Sequence, residues 1–422
     1  MRAPRTRRAG AGCACAVLVG VACGSSSTGL SPNAIALPAD NVAEVSVDYG
    51  LAGIGYINGL FANVTVCVPG STSECQTIDN VLVDTGSSGL VLLGSVLTLS
   101  LPALTDNKGA ALAECSQLIS GALWGPLRSA DFSIANEKVS NLVVHVSEKA
   151  TYPMPTSCTG TDLSDPNDLG ANGILGVGTS LQDCGPPCSA AVGHGSENPG
   201  IYYACSSAAT DGCQPTAVSL AQQVSNPVAF FSLDNNGTII ELPAIPEEGA
   251  PSVLGSLVFG IGTRANNGLE PATVIRVDLN GMFSTKYPTN GSASSAFIDS
   301  GSNAIYFLNS GTTHIPTCSS GLYPWISAFY CPTSTQNLTA RILDYTGQGG
   351  LNVSFSVANA LNLSEYNFAF DNLAGPGSAP TSGTAFPSSY FDWGLPFFFG
   401  RNVFTSIEGE ATTGHAGPFV AF

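Results

Sequence analysis

The sequence predicts an all-β protein made of two similar halves, and three observations carry that expectation. Glycine (48) and proline (27) are abundant among 422 residues, 44% of residues are hydrophobic and only 10% are charged. That is the composition of a turn-rich β protein, not of a helical bundle or an acidic disordered chain. Short runs of alternating apolar and polar residues recur between breaks rich in Gly, Pro and Asn. Finally, one segment occurs twice: VLVDTGSSGLVLL at 81–93 returns as SAFIDSGSNAIYFL at 295–308. In each copy apolar residues lead into an aspartate, a hydroxyl residue, a glycine and a second hydroxyl residue, and apolar residues then resume. One such motif alone reads as a β-turn; its return a lobe's length later makes it a feature of both halves.

From the N-terminus, Arg2, Arg5, Arg7 and Arg8 precede an apolar run that ends at Cys23. Residues 1–23 read as an export signal, too short to span a membrane. The run into Cys23, followed by GSSSTG, resembles a bacterial lipoprotein signal in which the cysteine is lipidated. Gly20 stands where leucine is usual, so lipidation at Cys23 and plain secretion both stay open. Residues 24–44, small and unpatterned, read as a tether. The expected location is outside the cytoplasm, as an envelope lipoprotein (periplasm or outer membrane) or a secreted protein. The formal net charge of −17 grows more negative once the leader arginines are gone. Such a surface excludes nucleic acid as a partner, and a membrane except through a lipid anchor.

With Cys13, Cys15 and Cys23 set aside in the leader, the remaining cysteines are even in number, as expected of disulfides in an oxidising compartment. Cys67 and Cys75 straddle a turn, Cys318 and Cys331 close a short loop, and Cys184, Cys188, Cys205 and Cys213 cluster within 179–215. That leaves Cys115 with Cys158. Connectivity inside the cluster is not readable from spacing, and a zinc site there with His194 is the competing reading; no metal or other cofactor is expected.

Residues 63–84 read as a hairpin that delivers the first motif, 131–148 as a second strand pair, and LGANGILGVG (169–178) as a buried strand. Residues 179–215 read as an inserted surface loop, 217–224 as a short helix, and 228–243 as a hairpin about Asn-Asn-Gly. The first lobe is expected at 45–226 and the second at 227–422. An apolar-apolar-glycine segment follows each motif at similar distance: Ile174-Leu175-Gly176 and Phe398-Phe399-Gly400.

These residues resemble the pepsin-like aspartic proteases, and the likeness covers most of residues 50–422. GLFANVTVCVPGSTSECQTIDNVLVDTGSS resembles that family's N-terminal hairpin and first catalytic loop, and WGLPFFFGRNVF its C-terminal Trp-apolar-Gly segment. More narrowly, GANGILGVG, DWGLPFFFGRNVF and the leader resemble a bacterial lipoprotein-type branch known only as a family of unknown function. The resemblance implies a bilobal fold of two barrel-like β lobes, a cleft between them and an apolar-apolar-Gly segment packed under each loop.

The chemistry follows from two neighbouring carboxyls that cannot both ionise easily and so share a proton. One acts as general base on a water and the other as general acid on the scissile carbonyl. Asp84 and Asp299 are the candidates. Gly86 and Gly301 allow tight turns, Thr85 and Ser300 are placed to lock the loops together, and Ser87 and Ser302 to hydrogen-bond the aspartates. The departures concern the flap. The family's flap tyrosine and its partner tryptophan are missing. Leu118 stands near the tyrosine position, Val91 near the tryptophan, and Trp124 is the candidate substitute. The expected function is an exported endopeptidase acting on extended peptide or protein substrates, monomeric because one chain supplies both aspartates. The alternative is a catalytically weak or inactive envelope binding protein of the same fold. No Gly-x-Ser-x-Gly or P-loop lysine supports a serine hydrolase or a nucleotide-binding protein.

Overall fold

The computed structural model describes residues 35–422 except 194–195, 208, 210–211, 320–323, 378–389 and 413. The leader with Cys23, most of the tether and His194 lie outside the described residues. The described residues form an all-β, bilobal body with helix only in short turns. One sheet of fifteen strands takes in the strands of the first half and five from the second, and a seven-stranded sheet belongs to the second half alone.

The first strand, Val42–Val47, begins inside the expected tether. It pairs with Leu60–Cys67 of its own half and with Val253–Phe259 of the other. Its burial alternates, Ala43, Val45 and Val47 facing the core, so the period of two that marks a strand in sequence also stitches the halves together. The main core runs without a break through both halves, from Val45 and Val83 to Ile298 and Trp393.

Each motif is held by the same three-strand device. In the first half Cys75–Asp84 runs parallel to Gly173–Val177, with Asp84 opposite Gly176, and Ser88–Leu93 runs antiparallel along the other side of that strand. In the second half Ala293–Ile298 runs parallel to Tyr390–Trp393, and Ile305–Phe307 lies antiparallel on its far side. The support strand of the second half is therefore Asp392-Trp393-Gly394, not Phe398-Phe399-Gly400. The Asp299 N–H donates to Trp393 O at 3.1 Å. Phe398 and Phe399 are buried beyond a 3₁₀ turn, Leu395–Phe397, and Gly400 (φ 74°) turns the chain into Arg401–Ser406. The sequence pattern offered two glycines within a few residues, and the strand that fills the place carries an acid where the pattern asks for an apolar residue.

The cysteine-rich segment is also more than a surface loop. Its strand Tyr202–Cys205 pairs with Ala111–Gln117 and adds an outer strand to the sheet that carries the flap. Cys184–Cys188 and Cys205–Cys213 are bridged, which removes the thiolates a zinc site needs, and Cys67–Cys75, Cys115–Cys158 and Cys318–Cys331 are bridged as expected. Residues 217–224 hold only a 3₁₀ turn, Leu220–Gln222. Pro227–Phe230 is likewise a 3₁₀ turn, capped by Asn226, so the expected hairpin is a turn followed by one strand, Gly237–Leu242.

Candidate active site

Asp84 and Asp299 leave the ends of their strands and meet at the junction of the halves. Their settings mirror each other. Asp84 Oδ1 accepts the Gly86 N–H at 2.7 Å and its Oδ2 the Ser87 hydroxyl at 2.6 Å. Asp299 Oδ1 accepts the Gly301 N–H and its Oδ2 the Ser302 hydroxyl, both at 2.8 Å. Between the loops, Thr85 N–H donates to Ser300 Oγ at 3.1 Å and Ser300 N–H to Thr85 Oγ1 at 3.0 Å. Each hydroxyl then donates onward, Thr85 to Ile298 O and Ser300 to Val83 O. The glycines are required by closeness: a Cβ on Gly86 would stand 2.8 Å from Asp299 Cγ, and one on Gly301 2.8 Å from Asp84 Cγ.

The two carboxyls are within hydrogen-bonding reach of each other. The Asp299 carboxyl is raised well above the usual carboxylate range, first by burial, then by the charges of Asp84 and Asp392. They lie on a cavity of about 1030 Å³ that runs between the flap and the second half. The flap is the hairpin of Ala111–Gln117 and Ala122–Ile134, closed by hydrogen bonds between Leu118 and Gly121. Leu118, Ile119 and Ser120 line the cavity from its tip. Trp124 does not fill the place of a flap tyrosine. Its indole N–H donates to Tyr152 O at 2.8 Å and its ring packs edge-on against Tyr203, so it belongs to the core behind the hairpin.

Sequence reasoning passed over three tyrosines and three acids, one of them Asp392 of the second support strand. Tyr56, on the loop before Leu60–Cys67, lines the cavity; burial and then the charges of Asp299 and Asp84 push its phenol up to about 12. Tyr306 and Tyr390 line it from the second half. Nothing in the local pattern marks them: Tyr56 stands in a glycine-rich loop, and Tyr306 and Tyr390 each precede a phenylalanine in a short strand. Glu114 on the flap and Asp183 at the start of the cysteine-rich segment also reach the cavity.

The fold is thus all-β and bilobal, and it brings one aspartate loop from each half to a shared cleft. Among solved structures similar to this chain is an aspartic proteinase from Irpex lacteus: 13% identical, covering 90% of this chain and 96% of that one, with a TM-score of 0.49. No curated protein matches the chain in sequence. The chain belongs to the family described as protein of unknown function (DUF3443), whose profile matches residues 38–422.

Proposed function

We propose that the chain is an exported aspartic endopeptidase. The observation that carries this reading is the mirrored clamp: each aspartate holds one backbone and one hydroxyl donor, and the Thr85–Ser300 exchange fixes the two in register. A side chain kept only for turn geometry has no use for an opposite number. Asp84 takes a proton from a water lodged between the carboxyls, and the water oxygen attacks the carbonyl carbon while Asp299 gives its proton to the carbonyl oxygen. The neutral diol then returns a proton to Asp299 as the C–N bond breaks, and the proton on Asp84 passes to the leaving amine. The substrate lies extended in the cavity, bound through its backbone and alternate side chains. Five disulfides fit maturation in an oxidising compartment, and among the described residues no helix is long and apolar enough to cross a membrane.

The test is cleavage of an unfolded protein by residues 24–422 over about pH 3 to 7, the range open to a proton-sharing pair, beside Asp84→Asn and Asp299→Asn. Wild type is expected to cut and both folded variants to be dead. A folded wild type that cuts nowhere in that range moves the reading to a non-catalytic envelope binding protein. The feature that favours this second reading is the flap, which has no tyrosine at its tip and is tied on its outer edge to Tyr202–Cys205.

A further inference from the structure

The two support strands are equivalent in place but not in chemistry. Ile174 lies opposite Leu82 on one side and Val91 on the other. Asp392 lies opposite Phe297 on one side and Tyr306 on the other. Leu82 and Phe297 each stand two residues before a loop aspartate, so Asp392 is the counterpart of Ile174. Strand alternation explains where it points: Phe391 and Trp393 stack at 4.4 Å in the aromatic core, which turns Asp392 to the opposite face, toward the cavity.

Asp392 is 0% exposed, and neither of its oxygens has a hydrogen-bond donor of good geometry. The Ser302 hydroxyl beside it directs its one proton to Asp299. An acid so placed is costly for a fold to keep, since a buried carboxylate without donors is strongly disfavoured, and an apolar residue serves the same position in the first half.

We propose that Asp392 is a positioning residue of the catalytic centre, a third carboxyl whose charge holds the shared proton of the pair on Asp299. The inference rests on reading Asp84 and Asp299 as a proton-sharing pair. Buried and without a side-chain donor of good geometry, a negative charge on Asp392 acts on Asp299 at low local dielectric. The charged and titratable groups that face it are Asp84 and Asp299 from the two loops, Tyr306 from the neighbouring strand and Tyr390 from its own. All are acids or phenols, so among the described residues no cation neutralises it. Burial, and less strongly Asp84, also hold Asp392 itself well above the usual carboxylate range. Asp392 gives up its proton before Asp299 does, and its charge then keeps the last proton of the pair on Asp299 to higher pH than two carboxyls alone would.

The experiment compares Asp392→Asn, a neutral isostere, and Asp392→Ile, which copies Ile174, with wild type. Two readouts are taken on residues 24–422: the pH profile of kcat/KM and the titration of the Asp299 carboxyl by carbon NMR. In both variants the alkaline limb and the Asp299 titration are expected to fall by about one pH unit. A folded Asn variant with neither readout moved overturns the inference, and loss of the fold in both variants does so too, by assigning Asp392 to structure alone. If wild type cleaves nothing but the Asp299 titration still falls in the variants, the inference stands and the endopeptidase reading fails.

Discussion

The carboxyls of Glu114 and Asp183 face each other in the interior, close enough to share a proton, and join the flap to the segment that enters the cysteine-rich region. The Tyr202 hydroxyl donates to Asp183 Oδ1 at 2.5 Å, and His145 Nδ1 lies 3.3 Å from Glu114 Oε2. Burial is the first cause of the shifts here. It raises Glu114 well above the carboxylate range, raises Asp183 to about 6 and lowers His145 to about 3.

The consequence is a pH-dependent anchor for the flap. Both acids hold a proton more tightly folded than unfolded, so their contribution to stability is complete below about pH 4 and is lost as pH rises through 6 and beyond. Glu114→Gln keeps a donor and has no proton to lose. Its Tm is expected to match wild type near pH 4 and to exceed it at pH 8. A constant difference at both would contradict the shared proton.

His145 acts in the opposite sense. Its folded value is depressed, so its contribution is present above the ordinary histidine range and is lost as pH falls through that range toward about 3. His145→Phe is expected to flatten the acid side of the Tm profile and leave the neutral side little changed.

Thr85→Val removes the acceptor for the Ser300 N–H and the donor to Ile298 O. Each buried group left unpaired costs about 1–3 kcal/mol. Urea unfolding should register that loss, and kcat should fall further than KM rises, because the damage is to the alignment of the aspartates.

Gly86→Ala and Gly301→Ala each drive a methyl against the opposite aspartate. A displacement of the pair by about 1 Å is enough for a loss on the order of 100-fold in kcat, and far-UV circular dichroism should stay that of wild type. Full activity in either variant would show that the pair does not need its close approach.

Tyr56→Phe removes a phenol that stays protonated in the cleft. One donor hydrogen bond to a reacting group corresponds to a loss of about tenfold in kcat/KM. Tm is expected to stay unchanged, because the ring still packs on Phe61.

The loops were legible because everything they need is local: aspartate, hydroxyl, glycine and hydroxyl lie in one stretch, twice. Pairings across short loops, such as Cys67–Cys75, were legible for the same reason. Roles set by distant neighbours were not. Trp124 had the right chemistry for the flap, but Tyr152 and Tyr203 hold it elsewhere. Phe398-Phe399-Gly400 had the right pattern, but strand register gives the place to Asp392-Trp393-Gly394. Tyr56 reaches the cleft only because the loop before the second strand folds over it, and no period in the sequence records that.

The stitching strand at the start of the body has a kinetic consequence. Val47 and Ser46 of Val42–Val47 find one partner across the short loop to Leu60 and Phe61, but the other partner spans residues 253–258. A pairing so far apart in sequence is slow to form, and in a chain delivered N-terminus first it has to wait for synthesis or translocation to reach residue 258. Until then the strand offers an unpaired edge. The first element to emerge is therefore among the last to be secured, and the nascent protein stays open at its centre for more than half of its delivery.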